Sequence, residues 1–133
     1  MKSELEALEG LLQELREDPR PKLVEGEKDK KALERLGIRN IVLIQPVSLA
    51  KVAGEVGSDV ILLTDYDRRG ELMAQRLAEL LHNEGVRVDV SYRRELRQLT
   101  GIRQVEEITK KYEDMREGSK TRRDTSGKLR FPA

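Results

Sequence analysis

Two short stretches of the chain put carboxylates directly after apolar runs. Lys22-Leu23-Val24 leads into Glu25-Gly26-Glu27-Lys28-Asp29. Val60-Ile61-Leu62-Leu63-Thr64 leads into Asp65-Tyr66-Asp67-Arg68-Arg69-Gly70-Glu71. Each apolar run is strand-length, and each acidic segment carries a glycine and opens a helix-like stretch. A parallel sheet gathers the ends of its strands at one edge, where ligands bind. Glu25, Asp65 and Asp67 are expected to converge there. Converging carboxylates repel one another unless a cation sits between them. Hard oxygen donors with few others favour Mg²⁺, with Mn²⁺ as a substitute.

Asp65 and Asp67 lie two apart, so just past a strand both reach one ion. The same pair would also suit the N-terminus of the helix that follows, as caps. Glu25 ends a buried strand, where desolvation disfavours its charged form and a nearby cation reverses that. Such a group suits general acid/base work. It would equally suit pairing with a buried Lys or Arg. Asp29 and Glu71 stand one tier back, as ligands of a second ion, as supports, or as caps. Lys28, Arg68 and Arg69 are placed to hold phosphate beside the ion, where the guanidinium fork favours Arg. They are also ordinary exposed charges. Gly70 allows close approach of backbone and phosphate. Arg93 and Arg94 follow the fourth predicted strand, on the same edge, and are candidates for a nucleic-acid backbone. Tyr66, between the two aspartates, would stack on a base or shield the site. His82 lies late in a helix and reads as a surface residue favoured there as a cation.

The Glu25-Gly26 pair after a first strand, followed by Asp65-x-Asp67-x-x-Gly70 after a later one, resembles the Toprim domain of topoisomerases, primases, OLD-type nucleases and RecR-like repair proteins. The segment Asp65 to Glu71 is close to the type IA topoisomerase version. Glu25-Gly26-x-x-Asp29 is closer to the small nuclease and primase-like branch. The resemblance covers about Pro21 to Tyr92 and is greatest to short, stand-alone archaeal Toprim proteins. It implies Glu25 as acid/base and the Asp65–Asp67 pair as Mg²⁺ ligands. The catalytic tyrosine of topoisomerases comes from a separate domain, which Tyr66 does not replace. One departure is the loop Gln45-Pro46-Val47-Ser48, where many Toprim domains carry a glycine or threonine; its rigid proline makes a different wall.

The elements that must position these residues are legible from periodicity. Leu5, Leu8, Leu12 and Leu15 recur at helical spacing over residues 3–17, with Ser3 as N-cap and Pro19 and Pro21 as the stop. Leu23-Val24 is the first strand. A helix over Asp29–Leu36 is closed by Gly37. Ile38–Ile44 is a second strand whose continuous apolar run suits burial on both faces. A short helix follows over Ser48–Val56, then a third strand over Asp59–Thr64 and a long helix over Arg69–Glu84. The alternation of Val86, Val88 and Val90 predicts a strand nearer an edge, through Tyr92. Glu95–Leu99 reads as a helical turn and Val105–Arg116 as a last helix; no periodicity remains after Gly118. The expected fold is α/β, a compact Rossmann-like Toprim-type domain with about four parallel strands flanked by helices. We divide the chain into an N-terminal helix (1–18), a Toprim domain (19–117) and a flexible basic tail (118–133).

Composition narrows the chemistry further. The chain has 133 residues, 38% of them charged and 37% hydrophobic, enough for one core under an ionised surface. A charged fraction this high is common in thermophiles. There is no Cys and a single His, which excludes a disulfide framework, a thiolate zinc site and a Cys nucleophile. No run spans a membrane and no signal peptide is visible, so a cytoplasmic location is expected. The net charge is only +1, but Lys120, Arg122, Arg123, Lys128 and Arg130 crowd the tail. That asymmetry permits a nucleic-acid contact there, or simply a solvated end. Two functions compete: a Mg²⁺-dependent nuclease on RNA or DNA, and a non-catalytic nucleic-acid-binding or assembly module. In the second, the leucine stripe of the first helix would serve a protein partner or a homodimer, unless it is ordinary core packing.

Overall fold

The computed structural model describes residues 3–44, 54 and 56–124, with side chains to residue 118. Helix α1 (Glu4–Glu17) begins at Ser3, whose hydroxyl accepts from Glu6 N while the Glu6 carboxylate accepts from Ser3 N. This reciprocal cap satisfies two amides that a helix start would otherwise leave open. Strand β1 (Lys22–Val24) follows, then α2 (Glu27–Arg35), β2 (Ile41–Leu43) and β3 (Asp59–Leu62). Next come α3 (Arg68–Asn83), β4 (Arg87–Asp89) and α4 (Ser91–Thr100). A 3-10 turn at Val105–Glu107 runs into α5 (Ile108–Asp124).

The four strands form one parallel sheet in the order β2-β1-β3-β4, so β1 lies directly beside β3. Alternate residues of the strands serve opposite faces. On one face Val24, Ile61 and Leu63 pack with Leu8, Leu12 and Leu15 of α1, Leu33 of α2, Leu96 of α4 and Ile108 of α5. On the other, Leu23, Val60 and Leu62 pack with Leu77 and Leu81 of α3. The result is an α/β sandwich of helix layers around a central sheet, as the alternation of elements required.

Several details differ from the sequence expectation. The stripe on α1 is core: Leu8, Leu12 and Leu15 have no exposed surface, and Leu11 joins them. Of the two readings of the stripe, ordinary core packing therefore holds, and these side chains are not free for the docking role that was the other. β2 is an edge strand and all three of its residues are half-exposed, so its apolar run does not mark double burial. β4 is the opposite edge, as its alternation suggested, but it stops at Asp89. Asp89 Oδ1 accepts from both Ser91 N and Ser91 Oγ, and α4 starts there. The expected helical turn is thus a ten-residue helix. α5 passes Gly118 and continues to Asp124, beyond the point where periodicity fades. Tyr92 and Tyr112 pack on the core, and their hydroxyls donate to Asp18 and Glu9, acidic partners hidden in the linear order. The loop Gln45–Ser48 and most of the short helix expected after it lie outside the described residues.

At the start of the sheet, charges are organised around Arg20. Its guanidinium bonds Asp18 at 2.8 Å, Asp89 at 2.9 Å and Asp59 at 3.4 Å. The Arg20 bond holds the Asp18 carboxyl well below the usual carboxylate range. Lys22 is 1% exposed, and its ammonium donates to the carbonyls of Asp18 and Arg39. Burial lowers the Lys22 pKa.

Candidate functional site

Because the strands are parallel and β1 is next to β3, the residues after each strand emerge side by side. Glu25 stands one residue past β1, and its Oε2 accepts from the backbone N of Asp65 at 2.7 Å. This contact joins the two acidic motifs across the sheet edge. Asp65 Oδ1 in turn accepts from Val105 N at 2.7 Å. Asp67 is the N-cap of α3, with Oδ1 accepting from Gly70 N at 2.7 Å. Asp29, 6% exposed, clamps two segments: Oδ2 accepts from Gly26 N and Oδ1 from Glu106 N, both at 3.1 Å.

Each of Glu25, Asp65 and Asp67 thus uses one oxygen for a backbone amide. The second oxygen of each has no protein hydrogen-bond partner among the described residues. The pocket is electrostatically tense. Burial pushes the Asp65 carboxyl up to about 6, and the charges of Asp29, Glu25 and Asp67 push the same way against the Val105 amide. Burial also raises Asp29, with Glu106 and Glu25 adding to it. No three acidic or His side chains among the described residues are grouped closely enough to enclose a metal ion. The donor chemistry nevertheless fits one kind of cation. Mg²⁺ is commonly held by one or two carboxylates and keeps its remaining waters, so it needs no closed protein cage.

The other predicted residues divide into two groups. Lys28, Arg68, Arg69 and Arg94 are exposed. Arg93 is not available to a backbone phosphate, which corrects the role expected for it. It is 8% exposed, donates to the carbonyls of Thr64 and Asp65 and to the Glu71 carboxylate, and lies 4.7 Å over the Tyr66 ring. Glu71 is therefore engaged by Arg93 at 2.8 Å rather than facing the acidic pocket. Tyr66 is 6% exposed and its hydroxyl donates to the Arg93 carbonyl, so it is part of the support and cannot stack on a base. Gly70 does allow a close approach, but to the protein itself. A Cβ there would come within 2.1 Å of the Asp65 carbonyl oxygen. Thr64 Oγ1 donates to the Gly70 carbonyl and locks the same contact. His82 is an exposed residue of the last turn of α3.

The sequence reading missed the segment 103–106. Tyr66 N donates to the Arg103 carbonyl, and the amides of Val105 and Glu106 fill Asp65 and Asp29. Backbone groups leave no side-chain signature, so no residue type could have signalled them.

The sheet order, with two acidic motifs meeting at the ends of adjacent parallel strands, defines a Toprim domain. A family profile described as the Toprim domain matches residues 22–92, and the chain belongs to that family. Within it, the relatives are small UPF0292 proteins of archaea. One from Thermococcus gammatolerans is 39% identical over 103 residues, covering 74% of this chain and 77% of the relative. Another from Methanocaldococcus jannaschii is 35% identical over 111 residues, covering 78% and 85%. A solved structure, a putative protein from Aquifex aeolicus, superposes with a TM-score of 0.69 at 33% identity, over 75% of this chain and 96% of that one. The small archaeal relatives agree with the stand-alone archaeal Toprim type expected. Among the described residues no helix is long and apolar enough to cross a membrane.

Proposed function

We propose that the chain is a divalent-cation-dependent phosphodiesterase acting on RNA or DNA, a small Toprim nuclease. The observation that carries this reading is the Glu25–Asp65 junction. It brings Glu25 and Asp65 together at one sheet edge with Asp67 two residues on, and each of the three has an oxygen left over from its backbone bond. Asp65 and Asp67 would hold Mg²⁺ or Mn²⁺ through those oxygens. A bound ion would polarise the scissile phosphate and offset charge on the attacking or leaving oxygen. Glu25 holds or releases the proton, its carboxylate oriented by the Asp65 amide. Lys28, Arg68, Arg69 and Arg94 neutralise phosphate around the pocket. Arg93 and Asp29 position the strand ends from beneath.

A second reading is a binding or assembly module without turnover. The observation in its favour is that every acidic side chain of the pocket already serves a backbone amide, which is what a purely structural cluster would do. The two readings separate in one experiment: calorimetric titration with Mg²⁺, followed by incubation with labelled RNA and DNA of varied structure in Mg²⁺ or Mn²⁺. Ion binding with cleavage supports the nuclease. Absence of cleavage on every substrate, whether or not the ion binds, transfers the assignment to the module.

A further inference from the structure

Close to the acidic residues is a cavity of about 590 Å³ between α2 and the start of α5. It is lined by Lys28, Lys31 and Arg35 from α2 and by Lys110 and Lys111 from α5. These two sets are some 75 residues apart in sequence, so only the fold brings them together. Lys28, Lys31 and Arg35 follow helical spacing and share one face over about 10 Å of axis. That is the rise of roughly three phosphates along one strand of B-form DNA. Glu106, Glu107 and Asp114 also line the cavity, so the cations are in excess. Of these five cations, only Lys110 is in an ion pair among the described residues, with Asp114 at 3.6 Å, and both those side chains are mostly exposed. Lys28, Lys31, Arg35 and Lys111 are exposed and hold no ion pair among the described residues.

The junction with the acidic pocket is direct. Asp29 follows Lys28 and accepts from the amide of Glu106, itself a wall of the cavity. A row of cations in excess over the acids beside them, leading away from a cluster of carboxylates, suits a polyanion whose reacting phosphate lies at the carboxylates. We infer that this cleft is the track for the phosphodiester backbone of a nucleic-acid strand on its way to or from Glu25, Asp65 and Asp67. The inference rests on the nuclease reading and adds the path of the substrate. It also assigns binding roles to Lys31, Arg35, Lys110 and Lys111.

The test is equilibrium binding of a labelled single-stranded oligonucleotide in EDTA over a range of salt. It compares wild type, the triple variant Lys31→Gln, Arg35→Gln, Lys111→Gln, and a control triple variant Arg39→Gln, Arg76→Gln, Arg87→Gln. All six positions are exposed, so both variants should fold. Each phosphate contact on a single strand contributes about 0.7 to the slope of log affinity against log salt. The cleft variant should lose about 2 from that slope, and the control almost none. An unchanged slope in the cleft variant, with wild-type binding and cleavage intact, overturns the track and leaves the nuclease reading standing. An equal loss in the control also overturns it, by reducing the effect to net charge. Tighter binding of a polyglutamate peptide than of any oligonucleotide, lost in the cleft variant, would assign the cleft to an acidic protein instead. Failure of wild type to bind any RNA or DNA sinks both readings together.

Discussion

The carboxylate of Asp65 is where the cost of the site falls. Its folded pKa is raised to about 6, above the ordinary value of 3.8. A raised acid binds its proton more tightly when folded, so the metal-free protein loses stability as pH rises from about 4 to 6. Asp65→Asn should remove that loss and keep the Val105 bond. In EDTA at pH 7.5 its Tm should exceed wild type by a few degrees, on the order of 1–2 kcal/mol, with no gain at pH 4. Equal melting temperatures at pH 7.5 would mean that the carboxylate is already relieved. Asp65→Asn combined with Asp67→Asn should also abolish Mg²⁺ binding in calorimetry. Glu25→Gln probes chemistry instead. The amide keeps the shape and loses the proton, so nucleic-acid affinity should persist while turnover falls by roughly 10²–10⁴-fold. Retention of turnover would remove Glu25 from the reaction.

Helix α3 shows at the level of elements how the site is braced. Its first turn is pressed against the strand end so closely that Gly70 has no room for a Cβ. Gly70→Ala should force α3 off Asp65 and lower stability by about 1–3 kcal/mol, read as a drop in Tm. Arg93 of α4 ties the same strand end through two carbonyls, a carboxylate and the Tyr66 ring. Arg93→Ala would leave the buried Thr64 carbonyl without this donor, at about 1–3 kcal/mol, and the half-buried Asp65 carbonyl at less. Denaturation midpoints of the variant should fall accordingly, and a mere change of salt dependence in binding would restore the surface role first expected for it. Much of this frame was legible beforehand: apolar runs alternating with helical periods and two acids after two strands suffice for a parallel sheet and its active edge. Arg93 was misread because its isolation lies in three dimensions; in sequence it is one of a pair of arginines after a strand, and only the helix α4 turns it inward while Arg94 faces out. The Asp67 cap on Gly70 N was one of the two readings the sequence offered, but the clamp of Asp29 on Glu106 depends on an amide 77 residues away, of which side-chain pattern says nothing.

Over the whole molecule, the two edges of the sheet respond oppositely to acid. Asp18 is held below its ordinary value by Arg20, so its contribution is complete above pH 4 and is lost as pH falls through the carboxylate range. Arg20→Met should therefore destabilise at pH 7 and cost progressively less in more acidic solution, as paired denaturation curves at pH 7 and pH 3 would reveal. The placement of α1 has a further consequence, in time instead of space. Leu8, Leu12 and Leu15 precede every strand of the sheet in chain order, yet Leu96 and Ile108, which help cover them, follow the last strand. During translation that helix can meet the sheet early, but its apolar face stays only partly covered until the two helices after the last strand leave the ribosome. A fragment ending at residue 92 should accordingly bind a hydrophobic dye and aggregate, although it contains every strand of the sheet.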